Sequence, residues 1–138
     1  MTDINKIKAF FQKDTFAANI GIEIQSASPG ESICRLAIHE GHFNAGKTVQ
    51  GGVIFTLADF AFAVAANAKG RHTVSLNINI SFMQQPKGRF LITRAKEIKS
   101  NRKVCFYDVS VTDELNTCIA QAVVNGYIKE TEFDFALD

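Results

Sequence analysis

The segment HFNAGKTVQGGVIFTLADFAFAVAAN, His42 to Asn67, places a glycine pair, Gly51 and Gly52, at the start of a long apolar run and a lone carboxylate, Asp59, in its middle. A run of this kind predicts a helix, and the backbone N–H groups of its first turn have no partner within the helix. With the positive end of the helix dipole behind them, they suit a carbonyl oxygen that gains negative charge under attack, and glycine lets a ligand approach the backbone closely. Gly51 is the expected oxyanion donor, with Gly52 beside it. Asp59 offers the complementary chemistry: ionised, it can serve as general base toward water or attack a carbonyl itself, and the sequence leaves both routes open. Thr56, on the same helical face as Asp59, can bond the carboxylate, a water, or its own helix backbone. Asn44 and Gln50 flank the glycine end, where an amide either orients a carbonyl or ties the loop down.

These groups cannot all work within one chain. From Gly51 to Asp59 the helix rises about 12 Å at ~1.5 Å per residue, too far for both to reach one carbonyl. Two copies with their long helices antiparallel about a two-fold axis would set Gly51 of one beside Asp59 of the other, creating two equivalent sites. A dimer is therefore expected.

The elements around this run follow from their periods. MTDINKIKAFFQKD has Ile4, Ile7, Phe10 and Phe11 at helical spacing and reads as an amphipathic helix, without the unbroken apolar centre of a signal peptide. NIGIEIQSA alternates at Ile20, Ile22 and Ile24, SPGE supplies a turn, and SICRLAIH returns with Cys34, Leu36 and Ile38 on one face, predicting a hairpin. In TVSLNINISF, strict alternation puts Val74, Leu76, Ile78, Ile80 and Phe82 on one face, and Thr73, Ser75, Asn77, Asn79 and Ser81 on the other. RFLITRAKEI, VCFYDVSV and CIAQAVVNGYI, joined by KSNRK and TDELNT, predict an antiparallel meander. A helix apolar nearly all round must be enclosed by the rest of the fold. An antiparallel sheet curled around one buried helix, an α+β class, satisfies both, and 138 residues suit one domain over 1–138.

Composition narrows the partners. With 15 basic and 14 acidic residues there is no charge excess for nucleic acid or an anionic membrane. The central run, interrupted by Thr56, Asp59 and Asn67, is too short and polar to span a bilayer. Cys34, Cys105 and Cys118 form no CxxC pair and sit in apolar alternating segments, as reduced core cysteines do, which fits the cytoplasm. His39 and His42 lack a third ligand at metal-binding spacing and read as surface histidines, so no metal is expected.

The ordered set Asn44, Gly51-Gly52 and Asp59 resembles the signature of the hotdog-fold acyl-CoA thioesterases of the phenylacetic-acid-degradation (PaaI-like) family. The resemblance continues through LADFAFAVAAN and VSLNINISFMQQP and includes VSVTDE, covering roughly residues 40 to 128. It implies a hotdog fold, an antiparallel sheet wrapped around a long central helix, and hydrolysis of an acyl-CoA to free acid and CoA without a cofactor. It also implies a site shared across a homodimer, with dimers pairing into a homotetramer. Ser75 matches the strand position that helps hold the attacking water in relatives. Lys99, Arg102 and Lys103, by default a solvated turn, lie at the edge that in this family is near the nucleotide phosphates of CoA. One departure stands out: the family usually has His before the glycine pair, and Gln50 can hydrogen-bond but cannot titrate.

Two rivals resemble parts of this pattern. Hotdog hydratase-dehydratases begin their site with His-Phe, which HFNAG echoes, but the proline after that pair and a closer helix carboxylate are missing. A non-catalytic acyl-CoA binder would tolerate Gln50. Phe55, Phe60, Phe62, Phe82 and Met83 surround the motif and form either an acyl tunnel or core; medium-chain or aryl acyl groups are the expected substrates.

Overall fold

The computed structural model describes residues Met1–Asp138. Asp3 and Asp14 each accept a backbone N–H from the turn that follows and so start two short helices, α1 (Ile4–Phe11) and α2 (Thr15–Ile20). The first was expected. The second was not: Ile20, read as a strand residue, closes α2, and Gly21 in the left-handed region ends it. Six residues are too few for a helical period to show beside the alternation that follows.

β1 (Ile22–Ser28) and β2 (Glu31–Ala37) form the expected hairpin. A 3-10 turn, Glu40–His42, leads through a loop to α3 (Gly51–Asn67), the predicted apolar helix. Four strands follow: β3 (Arg71–Phe82), β4 (Phe90–Ser100), β5 (Val104–Asp113) and β6 (Cys118–Glu132). All pairings are antiparallel, in a six-stranded sheet of order β1-β2-β4-β5-β6-β3. The short connections give the β4-β5-β6 meander, while β3, next after α3 in sequence, pairs with β6 at the far edge.

The sheet wraps α3, which packs against β2, β3 and β4. Ala58, Ala61 and Ala65 are fully buried and, being small, let the helix lie close to the strands, while Leu57 and Val64 fill the space between. Phe62 meets Tyr107 of β5 edge-on at 5.2 Å between ring centroids. Cys34 and Cys105 are buried in this core, but Cys118 is exposed at the start of β6, contrary to the core reading of all three. No helix is long and apolar enough to cross a membrane.

Strict alternation fails in β3, and the failure shapes the site. The ladder to β6 shifts register between Ser75 and Asn77, leaving Leu76 as the extra residue of a bulge, 62% exposed. Beyond it Ile78 and Ile80 lie opposite Val124 and Ala122, both buried; before it Thr73, also buried, and Ser75 lie opposite Ile128 and Gly126. The bulge reverses the phase, so Ser75 shares the inward face with Ile78 rather than opposing it. A second shift lies between Arg71 and Thr73.

Candidate active site

The glycine end of α3 is held by the loop before it. His42 is 1% exposed, correcting the surface reading, which holds for His39 alone. Its Nε2 lies 2.8 Å from the Ile20 carbonyl oxygen and its Nδ1 accepts the His39 N–H at 3.2 Å, a pattern that requires the neutral ring with its proton on Nε2. Burial pushes its pKa down, against the Ile20 hydrogen bond, which pushes it up, and with His39, which lowers it further. The His42 carbonyl in turn accepts the Gln50 N–H at 2.9 Å. Asn44 ties the loop: its Oδ1 accepts from the Gly46 N–H at 2.9 Å and from the Thr48 N–H and hydroxyl, each at 3.2 Å. That leaves its Nδ2 hydrogens free to face a ligand.

Gln50, extended at φ −64° and ψ 132°, is the N-cap of α3, and its Oε1 accepts the Gly52 N–H. A Cβ on Gly52 would fall 2.8 Å from that oxygen, the movable end of the Gln50 side chain. The Gly51 N–H has no partner in the chain. Gly51 opens into a cleft of ≈ 330 Å³ lined also by Asn44, Phe82, Met83, Gln84 and Gln85. The structure thus brings Asn44, Gly51 and the Phe82 ring together, with Gln50 and Gly52 paired beside them.

Asp59 sits half-buried in the middle of α3 without a salt bridge to any Lys or Arg. Burial raises its pKa above the ordinary 3.8, hydrogen bonding from the Ser75 hydroxyl pulls it back, and Asp14 raises it again. The Leu76 bulge puts Ser75 on the same face of β3 as Ile78, and Gly126 opposite keeps the sheet close to α3: a Cβ there would lie 2.7 Å from both the Phe62 ring and Cys105 Sγ. Thr56 donates its hydroxyl proton to the Gly52 carbonyl at 2.7 Å and so has none to offer Asp59.

Lys99 is the last residue but one of β4, and Arg102 and Lys103 lie in the turn to β5; all three are exposed and free of salt bridges. Arg71 bonds the Arg102 carbonyl at 3.3 Å, and a cleft of ≈ 140 Å³ beside the turn is lined by Ala66 and Lys69, placing it at the opposite end of α3 from Gly51. Of the five aromatic and methionine candidates, Phe62 is core, Phe60 is buried at the wall of a groove, and Phe55, Phe82 and Met83 are exposed.

Two positioning residues escaped the sequence reading. Gln85 bonds the backbone of Val49 on both sides, accepting its N–H at 2.9 Å and donating to its carbonyl at 3.3 Å. Asp113, buried at the end of β5, accepts the N–H groups of Lys87, Gly88, Leu115 and Thr117, at 2.8 to 2.9 Å. Together they fasten the β3–β4 connection under the glycine end. Each lies far from the motif in sequence, and no local spacing marks it.

Comparison with known proteins decides the family. Residues 46–120 match the thioesterase superfamily. The chain belongs to that superfamily. Human acyl-coenzyme A thioesterase 13 is 32% identical over 112 residues, 78% of this chain and 80% of that protein. The acyl-coenzyme A thioesterase PaaI of Escherichia coli is 25% identical over 113 residues, 81% of each. The structure of the E. coli PaaI protein from the phenylacetic acid degradation operon shares the fold at a TM-score of 0.85 and 23% identity, covering 90% of this chain and 91% of that one. The chain is a PaaI-like hotdog thioesterase, a thioester hydrolase.

Proposed function

We propose that this thioesterase hydrolyses medium-chain or aryl acyl-CoA to free acid and CoA, at sites that pair Asp59 of one protomer with the Gly51 N–H of its partner. The observation that carries the reading is Asp59 itself: a half-buried carboxylate in an apolar helix, with no cation beside it and the Ser75 hydroxyl against it. A structural carboxylate in such a place is normally paired or multiply bonded, as Asp113 is here. Asp59 is instead left able to act on a substrate.

Asp59 takes a proton from water held at Ser75, or attacks the thioester carbonyl directly. Either attack moves negative charge onto the carbonyl oxygen, and the partnerless Gly51 N–H at the start of the partner's α3 receives it. The free amide hydrogens of Asn44 supply a second donor at that end. Collapse of the tetrahedral centre breaks the C–S bond and expels the CoA thiolate, which takes up a proton. The water route yields the free acid at once; on the direct route water then cleaves the mixed anhydride left on Asp59. Gln50 holds the helix cap, so the role usually given to His before the glycine pair is here structural. Lys99, Arg102 and Lys103, lying beyond the C-terminal end of the Asp59 helix, meet the CoA phosphates.

The working unit is a homodimer, with two dimers forming a tetramer, and free thiols at Cys34, Cys105 and Cys118 suit the reducing cytoplasm. Purified protein assayed against acyl-CoA thioesters from acetyl to palmitoyl, with phenylacetyl and hydroxyphenylacetyl, tests the proposal. Release of free CoA thiol supports it; hydration of an enoyl thioester without cleavage, or binding without turnover, overturns it.

A further inference from the structure

Between α1, α2, β1 and α3 lies a groove of ≈ 330 Å³ walled by Phe11, Ala17, Ala18, Ile22, Ile24 and Phe60. Lys8, Gln12 and Glu23 form its polar rim. All of it except Phe60 comes from sequence before the family match at residues 46–120.

We propose that this groove receives the acyl group of the substrate and selects a compact apolar one, an aryl ring or a medium-length chain. The inference rests on the reading of Asp59 as the residue that acts on the thioester carbonyl. Continuity with that carboxylate is the first argument. Phe60, the residue after Asp59 on α3, is one wall of the groove, and α2, which supplies another, packs against α3. α2 carries Ala17 and Ala18 into the groove. The groove thus lies along the same turn of α3 that carries Asp59.

The walls supply the second argument. Phe11 and Phe60 meet edge-on at 5.5 Å between centroids, an arrangement that leaves ring faces and edges to pack against a flat or flexible apolar group. The alanines keep the space open where larger helix residues would fill it. At ≈ 330 Å³ the groove is at the small end of ligand sites, suited to one ring or a chain of moderate length. Each methylene that enters such a groove is worth about 0.8 kcal/mol, or roughly fourfold in kcat/KM. The second cleft, at Gly51, is edged by the amides of Asn44, Gln84 and Gln85 and has less apolar wall to offer.

Ala18 is exposed at the lip, so Ala18→Phe fills the groove without entering the core. The variant should lower kcat/KM for octanoyl-CoA and phenylacetyl-CoA at least ~10-fold, the worth of about two lost methylenes, and leave acetyl-CoA within about twofold. Octanoate binding, measured by calorimetry without turnover, should weaken in parallel. If all three thioesters fall alike, or none falls, the groove does not hold the acyl group, and the hydrolytic reading stands. If the unsubstituted protein cleaves no acyl-CoA but octanoate binds and Ala18→Phe abolishes that binding, the hydrolytic reading fails and the groove remains an acyl site. Gln12→Trp, an exposed rim position on the α1 side, repeats the test should Ala18→Phe not fold.

Discussion

Gly51→Pro separates the proposed oxyanion donor from everything else the helix does. The N–H that proline lacks has no partner in the chain, so no intramolecular hydrogen bond is lost. Position 51 is the first residue of α3, where proline is favoured, and Gln50 before it already has the extended backbone that a following proline demands, φ −64° and ψ 132°. A Cβ at 51 comes no closer than 3.5 Å to the Phe82 ring, an ordinary contact. The folded state should therefore accept the substitution, and the less flexible unfolded chain should leave stability unchanged or raise it by about 0.4–1 kcal/mol. Turnover should fall by ~10²–10³, the cost of removing one donor from an oxyanion hole. Gly51→Ala, which keeps the N–H, should lose far less. The assay is steady-state release of CoA thiol beside a thermal melt of each variant. A Gly51→Pro protein with an unchanged melting temperature and turnover within a few-fold of the unsubstituted protein would refute the assignment.

Asp59→Asn should lower kcat by at least ~10² while the melting temperature holds or rises, because a neutral amide avoids the cost of an ionised carboxylate in a poorly solvated place. Since burial raises the Asp59 pKa and activity needs the ionised form, kcat/KM should fall with decreasing pH along a limb displaced above the ordinary 3.8, and a limb at or below that value would count against Asp59. Asp113→Ala strips the acceptor from four part-buried N–H groups and should cost about 1–3 kcal/mol in chemical denaturation. Burial works to raise the Asp113 pKa, but the bonds from Thr117, Lys87 and Gly88 outweigh it and hold the carboxyl well below the usual range. The contribution of Asp113 is therefore fully present above the unfolded-state pKa of about 3.9 and is lost as pH falls through the depressed folded value, so the two proteins should converge in strong acid. Lys99→Ala with Arg102→Ala should raise KM for acyl-CoA more than for the same acyl group on a short pantetheine thioester; equal effects would return the turn to plain solvated surface.

The sequence made the fold legible where one period runs uninterrupted over a whole element. The apolar run from Gly51 to Asn67 is a helix wrapped by sheet, and the meander of three strands follows from its short connections. It misled where geometry departs from period. TVSLNINISF alternates without a flaw, yet the Leu76 bulge turns Ser75 inward, and nothing in the strand itself marks it. The partner position Gly126 is the one trace, since a glycine within a strand signals close backbone approach. α2 was hidden by its brevity, though Asp14 and Gly21 were its cap signals. In the site, the motif marks Asn44, Gly51 and Asp59, the residues to which the proposal gives the chemistry. The residues that fasten them, His42, Gln85 and Asp113, act through contacts between segments distant in sequence, which spacing cannot reveal. Gln50 falls between: its type was legible, but its service as helix cap required the loop.

The central claim is that each site is built from two chains. Gly51→Pro and Asp59→Asn proteins, each nearly inactive alone, should be mixed under conditions that let subunits exchange. Random exchange puts half of the dimers in hybrid form, and each hybrid holds one site with both residues intact, so about one quarter of the unsubstituted protein's specific activity should return. Activity that stays at the level of the separate variants, with hybrids shown to have formed, would contradict the shared site.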